Sequence, residues 1–221
     1  PMIRSAVANP SAEEMAALEK SSAQIRAAFA VGIMPPEIEA AIRQACREFE
    51  DVPVAVRSSA TAEDLPDLSF AGQQDTYLNV VGEGEILKAV IHCWSSLWTA
   101  RAIGYRLRNR IPQEEVALAV IVQEMVPSET SGVMFTANPL TGLRNETVID
   151  ATFGLGEALV SGQVEPDHYV VDIYKNALVA RTLGAKEQVT RSKSGGGVEL
   201  IRDLQASDKQ ALTDAQILQL A

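Results

Sequence analysis

Residues 55–80 read AVRSSATAEDLPDLSFAGQQDTYLNV. Residues 52–56 are a short apolar β-prone run and residues 76–81 are a second. The long connection between them is rich in Ser, Ala, Thr, Asp and Gly, and a connection of that length inside a compact domain is usually functional. Arg57 stands where the first run ends. Its guanidinium is a planar fork of donors matched to phosphate oxygens, and the small residues after it let backbone approach a ligand. The segment Ser69-Phe70-Ala71-Gly72-Gln73-Gln74-Asp75-Thr76 sets a glycine, amides and a hydroxyl just before the next strand. Such a loop can aim N–H groups at an anion. Residue types alone leave open a surface turn that begins with a solvated arginine.

Upstream, Ser11 with Glu14 has the form of a capping box, followed by Met15, Leu18, Ser22, Ile25 and Phe29 at helical spacing. Pro35-Pro36 ends that helix and opens a second, with Ile38, Ile42, Ala45 and Phe49 on one face. Downstream, residues 85–108 keep helical spacing throughout, and residues 116–126 form a near-continuous apolar run that predicts a buried strand. Further strands are predicted over 131–136, 147–151, 169–172, 177–181 and 198–202, with turns at Lys175-Asn176 and Gly195-Gly196-Gly197. Helices first, then strands with one helical stretch among them, predict an α+β fold with mostly antiparallel pairing. The expected divisions are a helical segment at 1–50, a nucleotide-binding core at 51–205 and the start of a truncated helix at 206–221.

Composition narrows the class. The chain has 221 residues, 47% hydrophobic and 22% charged, ordinary for a globular protein. Nineteen basic against 29 acidic residues give −10, which argues against a nucleic-acid partner. Cys46 and Cys93 lack zinc-motif spacing and are expected to be buried thiols in a reducing compartment. No apolar run is long enough for a membrane span and there is no signal-peptide core, so a cytoplasmic location is the default. Pro1 precedes Met2, and the capping box at Thr213 and Gln216 opens a helix that has barely begun at Ala221. Both ends fit an excised piece of a longer polypeptide.

Other motifs are weaker. Val122-Gln123-Glu124-Met125-Val126 closes the long apolar run, where backbone groups could pair with an adenine edge and Met and Val could pack on its faces. Gly154-Leu155-Gly156-Glu157 resembles a glycine turn entering a helix, able to hold phosphate on its amides, although Leu159 breaks the dinucleotide fingerprint. The glycine triplet beside Lys193 reads as a hairpin tip. His92 reads as a packed helix residue and His168 as a hydrogen-bonded structural one, neither with metal spacing.

Together, residues 55–80, VQEMV (122–126), SGVMFTANP (131–139) and ATFGLGEALVSG (151–162) resemble the ATP-binding domain of the phosphoenolpyruvate-utilising dikinases. That family contains phosphoenolpyruvate synthases, pyruvate phosphate dikinases and rifampicin phosphotransferases, and the wording of several blocks is most similar to the last. The resemblance implies an ATP-grasp fold in which two α+β lobes hold the nucleotide. It implies cleavage of ATP to AMP and phosphate, the β-phosphoryl group passing through a histidine on a separate domain to an acceptor. A rifampicin-like antibiotic is the favoured acceptor, pyruvate the alternative; a non-catalytic nucleotide-binding or interaction module is the rival reading. By resemblance Arg57 contacts the phosphates and is the catalytic residue, with Gly72 and Thr76 in the covering loop. Gln123 sits at the adenine end with Glu124, Met125 and Val126 as the hinge.

The departures are specific. The family's phosphate-binding lysine in a glycine-rich segment has no counterpart before Arg57, and its metal-binding glutamate and Gln-x-Arg have none after it. No metal ligands are therefore assigned in this chain. Mg2+ is expected to accompany ATP on ligands outside it, and the phosphohistidine and acceptor domains are expected elsewhere in the same polypeptide.

Overall fold

The computed structural model describes residues 12–49, 51–61, 75–114 and 116–221. They divide into one unit of Pro1–Met125 with Gly195–Gly197 and another of Val126–Ser194 with Val198–Ala221. The boundary at 125/126 falls within the stretch 51–205.

In the first unit, β1 (Val54–Ala60) is the middle strand of an antiparallel sheet, between β2 (Thr76–Val80) and β3 (Leu118–Glu124). Val54 and Val56 point to a core shared with Ile86, Ala89, Val90 and Cys93 of α3 (Glu83–Ser96), and Val120 and Val122 pack against it. Three sequence expectations change. The first strand does not stop at Val56 but continues through Ala60, because Ser58, Ser59 and Ala60 find partners in Val120, Ala119 and Leu118; cross-strand pairing overrides weak local propensity. The apolar run at 116–126 is an edge strand with alternating exposure, and Ile121 remains 48% exposed. The continuous helix at 85–108 is two helices. The Thr99 hydroxyl accepts from the Ala102 amide at 3.1 Å and caps α4 (Ala100–Arg108).

The N-terminal helices form where their patterns put them, but Met15 and Ile38 on the expected apolar faces are exposed, and the second helix ends at Ala45, leaving Phe49 in a separate 3-10 turn. α1 (Ala12–Val31) buries Leu18 and Ser22, and α2 (Pro36–Ala45) starts with proline at its first position. The cap expected at Ser11 lies outside the described residues. Cys46 and Cys93 are free, buried thiols.

The second unit has a four-stranded antiparallel sheet, in the order β4 (Thr130–Phe135), β5 (Glu146–Phe153), β6 (Asp167–Asp172), β7 (Ala177–Thr182). Ile149, Tyr169 and Val171 bury against Ile217 of α6 (Asp214–Leu220), whose start carries the reciprocal Thr213–Gln216 cap. Between β5 and β6 lies α5 (Glu157–Val160), and the hairpin of β8 (Gln188–Ser192) and β9 (Val198–Arg202) follows β7. No apolar spacing in the sequence marks its polar β8 as a strand. The Asp167 carboxylate and Lys186 ammonium are fully buried and paired. The whole is an α+β arrangement of antiparallel sheets with flanking helices.

Candidate functional site

Arg57 lies in the middle of β1, not at a strand end, opposite Thr76 on β2 and Ile121 on β3. Directly opposed residues of antiparallel strands share a face, and residues two apart on one strand share it too. Ala55 therefore lies on that face as well, opposite Gln123. The face turned away from α3 thus carries Arg57, Thr76 and Gln123, all exposed. Arg57 Nη1 donates to Gln123 Oε1 at 3.3 Å, which holds the guanidinium along the sheet. Gly72 lies outside the described residues.

The end of the connection is tied down. Asp75 O accepts from Ser58 Oγ (3.2 Å), its carboxylate accepts from Tyr77 Oη (3.4 Å), and Arg26 approaches it at 3.6 Å. Burial first, then the Asp75 charge, pushes the Tyr77 hydroxyl up to about 12, and the same two causes push the Cys93 thiol up to about 12.

At the end of β3, Glu124 is exposed and pairs in register with Val54. The Met125 amide is committed to Pro53 O at 2.9 Å, and its sulfur takes the Asn79 N–H. Val126 is exposed and its carbonyl accepts from the Ser128 amide at 2.8 Å. The backbone at 125–126 therefore has fewer open groups than a strand end meeting solvent would offer.

Two sequence readings change here. The Gly154 and Leu155 amides are spent on Glu129 O and Thr190 O, both at 2.8 Å, and α5 is a single short turn, so these two amides are not open to a phosphate and Gly154 serves packing. A Cβ on Gly154, at φ +75°, would stand 2.3 Å from Thr190 O. His92 is exposed on α3 rather than packed, its ring 5.7 Å from that of Tyr77. His168 does accept a structural partner, with Nδ1 at 2.7 Å from Asp150 Oδ1.

Sequence reasoning missed a cavity of about 470 Å³ in the second unit. Phe153 lines it, with Arg191 and Lys209 set against Glu129 and Asp203. Those residues lie on separate strands and turns, so no spacing signal connects them. Among the described residues no group of three His, Cys, Asp or Glu could hold a metal ion, and no helix is long and apolar enough to cross a membrane.

The comparisons with known proteins agree with one another. The family model for the pyruvate phosphate dikinase AMP/ATP-binding domain matches residues 1–221. A rifampicin phosphotransferase of Streptomyces sviceus is 48% identical over 212 residues, 95% of this chain and 24% of the relative. A phosphoenolpyruvate synthase of Pyrococcus furiosus is 45% identical over 217 residues, covering 92% of this chain and 27% of the relative. A rifampicin phosphotransferase of Bacillus cereus is 44% identical over 211 residues, again 95% of this chain and 24% of the relative. The chain spans about a quarter of the length of these curated relatives. With a match over all 221 residues and identities near one half, the chain belongs to the AMP/ATP-binding domain family of pyruvate phosphate dikinase.

Proposed function

We propose that this chain is the ATP-grasp part of a cytoplasmic phosphotransferase that splits ATP into AMP and phosphate and passes the β-phosphoryl group to a histidine on another domain. The observation that carries the reading is the exposed face of the first sheet, where a guanidinium, a carboxamide and a hydroxyl from three strands converge. Each unit is an antiparallel sheet with helices, as each lobe of an ATP-grasp domain must be.

On this reading Arg57 is the catalytic residue. Its donors stabilise charge that grows on the phosphoryl oxygens during transfer, an effect strongest where the donor is already positioned. Gln123 aligns that guanidinium through the 3.3 Å bond, and Thr76 adds a hydroxyl beside it. With Gln123 drawn to Arg57, recognition of the adenine falls to the segment of Glu124, Met125 and Val126. Gly72 belongs to the covering loop. Among the described residues the face holds no cluster of carboxylates, and on this reading Mg2+ would be held by ligands outside this chain; when bound, it neutralises phosphate charge.

A rifampicin-like antibiotic is the favoured acceptor, supported by the resemblance of several sequence blocks and by the 48% identity to a rifampicin phosphotransferase. Pyruvate is the second reading, supported by the 45% identity to a phosphoenolpyruvate synthase. The test is product analysis on the intact protein with ATP labelled at the β or the γ position. The expected result is AMP, γ-labelled inorganic phosphate, and β label on a histidine and then on rifampicin. ADP as the nucleotide product would overturn the chemistry, and β label moving to pyruvate instead would overturn the acceptor.

A further inference from the structure

Arg106, in the last turn of α4, is fully buried. Its Nε donates to Gln113 Oε1 at 2.6 Å, and its guanidinium lies 5.5 Å from the centre of the Trp98 ring. Nη1 and Nη2 are buried without a hydrogen-bond partner, and so is Gln113 Nε2. Three nitrogens rich in N–H donors thus meet in one place with no acceptor for them among the described residues. A buried guanidinium left in that state is costly, because its desolvation is not offset by an opposing charge.

Arg106 and Gln113 line a cavity of about 400 Å³. Its other walls include the apolar side chains of Trp98, Leu107, Ile111 and Pro112. Arg110 and Glu114, both exposed, also line it and carry opposite charges, so among the described residues the net charge of the lining is that of Arg106. Burial lowers the Arg106 pKa to about 10, which leaves it protonated at neutral pH.

We propose that this cavity is a binding site for a small carboxylate with an apolar body, its carboxylate received by Arg106 and Gln113. The planar guanidinium fork donates to two carboxylate oxygens side by side. The apolar walls suit a short carbon chain, and a fully hydrated phosphate would lose more water than those walls return. Because both Nη atoms are closed to bulk water, the ligand exchanges places with the Gln113 carboxamide oxygen, the group that now holds Nε. The site stands within the first unit, away from the Arg57 face, and does not depend on the reading of that face.

The probe is butyrate, added to the intact protein at constant ionic strength while thermal unfolding is followed; butyramide and inorganic phosphate are the comparison arms. Butyrate is expected to raise the midpoint saturably, by about 2–4 °C, with no response to butyramide or phosphate. Since replacing Arg106 can simply unfold the protein, the deciding variant is Gln113→Glu, which sets a carboxylate beside the guanidinium. It is expected to raise the ligand-free midpoint and abolish the butyrate response. No saturable response to butyrate, an equal response to butyramide, a response to phosphate in its place, or a butyrate response that survives in Gln113→Glu would each overturn the proposal.

Discussion

The buried carboxylate of Asp167 is saturated by donors, with Lys186 first among them. Oδ1 accepts from Lys186 Nζ and the Gly184 amide (2.9 Å), and Oδ2 accepts from Tyr169 Oη (2.9 Å) and the Ala211 amide (2.7 Å). The cluster ties β6 to the segments before β8 and before α6. Burial, and then the bond to Asp167, pushes the Tyr169 hydroxyl well above its ordinary value. Removing one partner of such a pair costs about 3–5 kcal/mol, because the other is left buried and charged. Lys186→Met is expected to lower unfolding stability by that amount in urea titrations. Lys186→Met with Asp167→Asn should recover part of the loss, and a single-variant loss below about 1 kcal/mol would contradict the role.

Arg57→Ala in the intact protein is expected to cut ATP-dependent histidine phosphorylation by about 10²–10³-fold, the usual scale for losing a positioned donor. Arg57 is exposed on its sheet face, so the thermal midpoint should hardly move. Gln123→Ala, which only releases the guanidinium, should cost about tenfold or less. Rapid-quench single-turnover assays measure both, and an unchanged rate in Arg57→Ala contradicts the catalytic assignment.

Alkaline pH should weaken the first unit. The folded state keeps the Cys93 and Tyr77 protons to about 12, whereas an unfolded chain sheds them nearer 9 and 10. The stability these raised values contribute is fully present below the unfolded pKa values and is lost as pH rises toward about 12. The slope is about 1.4 kcal/mol per pH unit for each group. The Cys93 charge raises the proton affinity of Tyr77, so the two losses are not simply additive. Urea midpoints stepped from neutral pH upward should fall from about pH 9, and Cys93→Ala should delay the fall. A profile that stays flat above that point would refute the expectation.

Gly154→Ala should destabilise the second unit by about 2 kcal/mol or more. The new methyl would meet Thr190 O at 2.3 Å, and φ is +75°. If that glycine only cradled phosphate, nucleotide affinity would fall with stability intact. Parallel calorimetric unfolding and nucleotide titration separate the two outcomes.

Much of this architecture is legible in the sequence because side-chain periodicity records burial directly. The stripe through Leu18 and Ser22, the proline that opens α2, and the Thr213–Gln216 cap each appear where their patterns put them. What was hidden depends on partners distant in sequence. Ser58 and Ser59 have little strand propensity and are strand only because β3 pairs with them. The helix break at Thr99 lies beneath an apolar spacing that runs on through Leu97 and Trp98, and it is marked only by a hydroxyl in capping position. The polar β8 is strand through its hairpin with β9. At the candidate site, residue types raised Arg57 and the family resemblance raised Gln123, but their contact needed the register of β1 on β3, which no local pattern encodes.

That same register limits how the Arg57 face can be re-engineered. With a ladder on either side, the Cα of Arg57 has no slack to advance toward or retreat from a bound molecule. On the proposed reading, lysine at this position would keep the positive charge but could not offer the planar fork of donors that suits phosphate, and no relaxation of nearby chain could restore it. Attempts to retune ligand preference are better aimed at the flanking edge strands, where a changed side chain need not break two sets of backbone bonds at once.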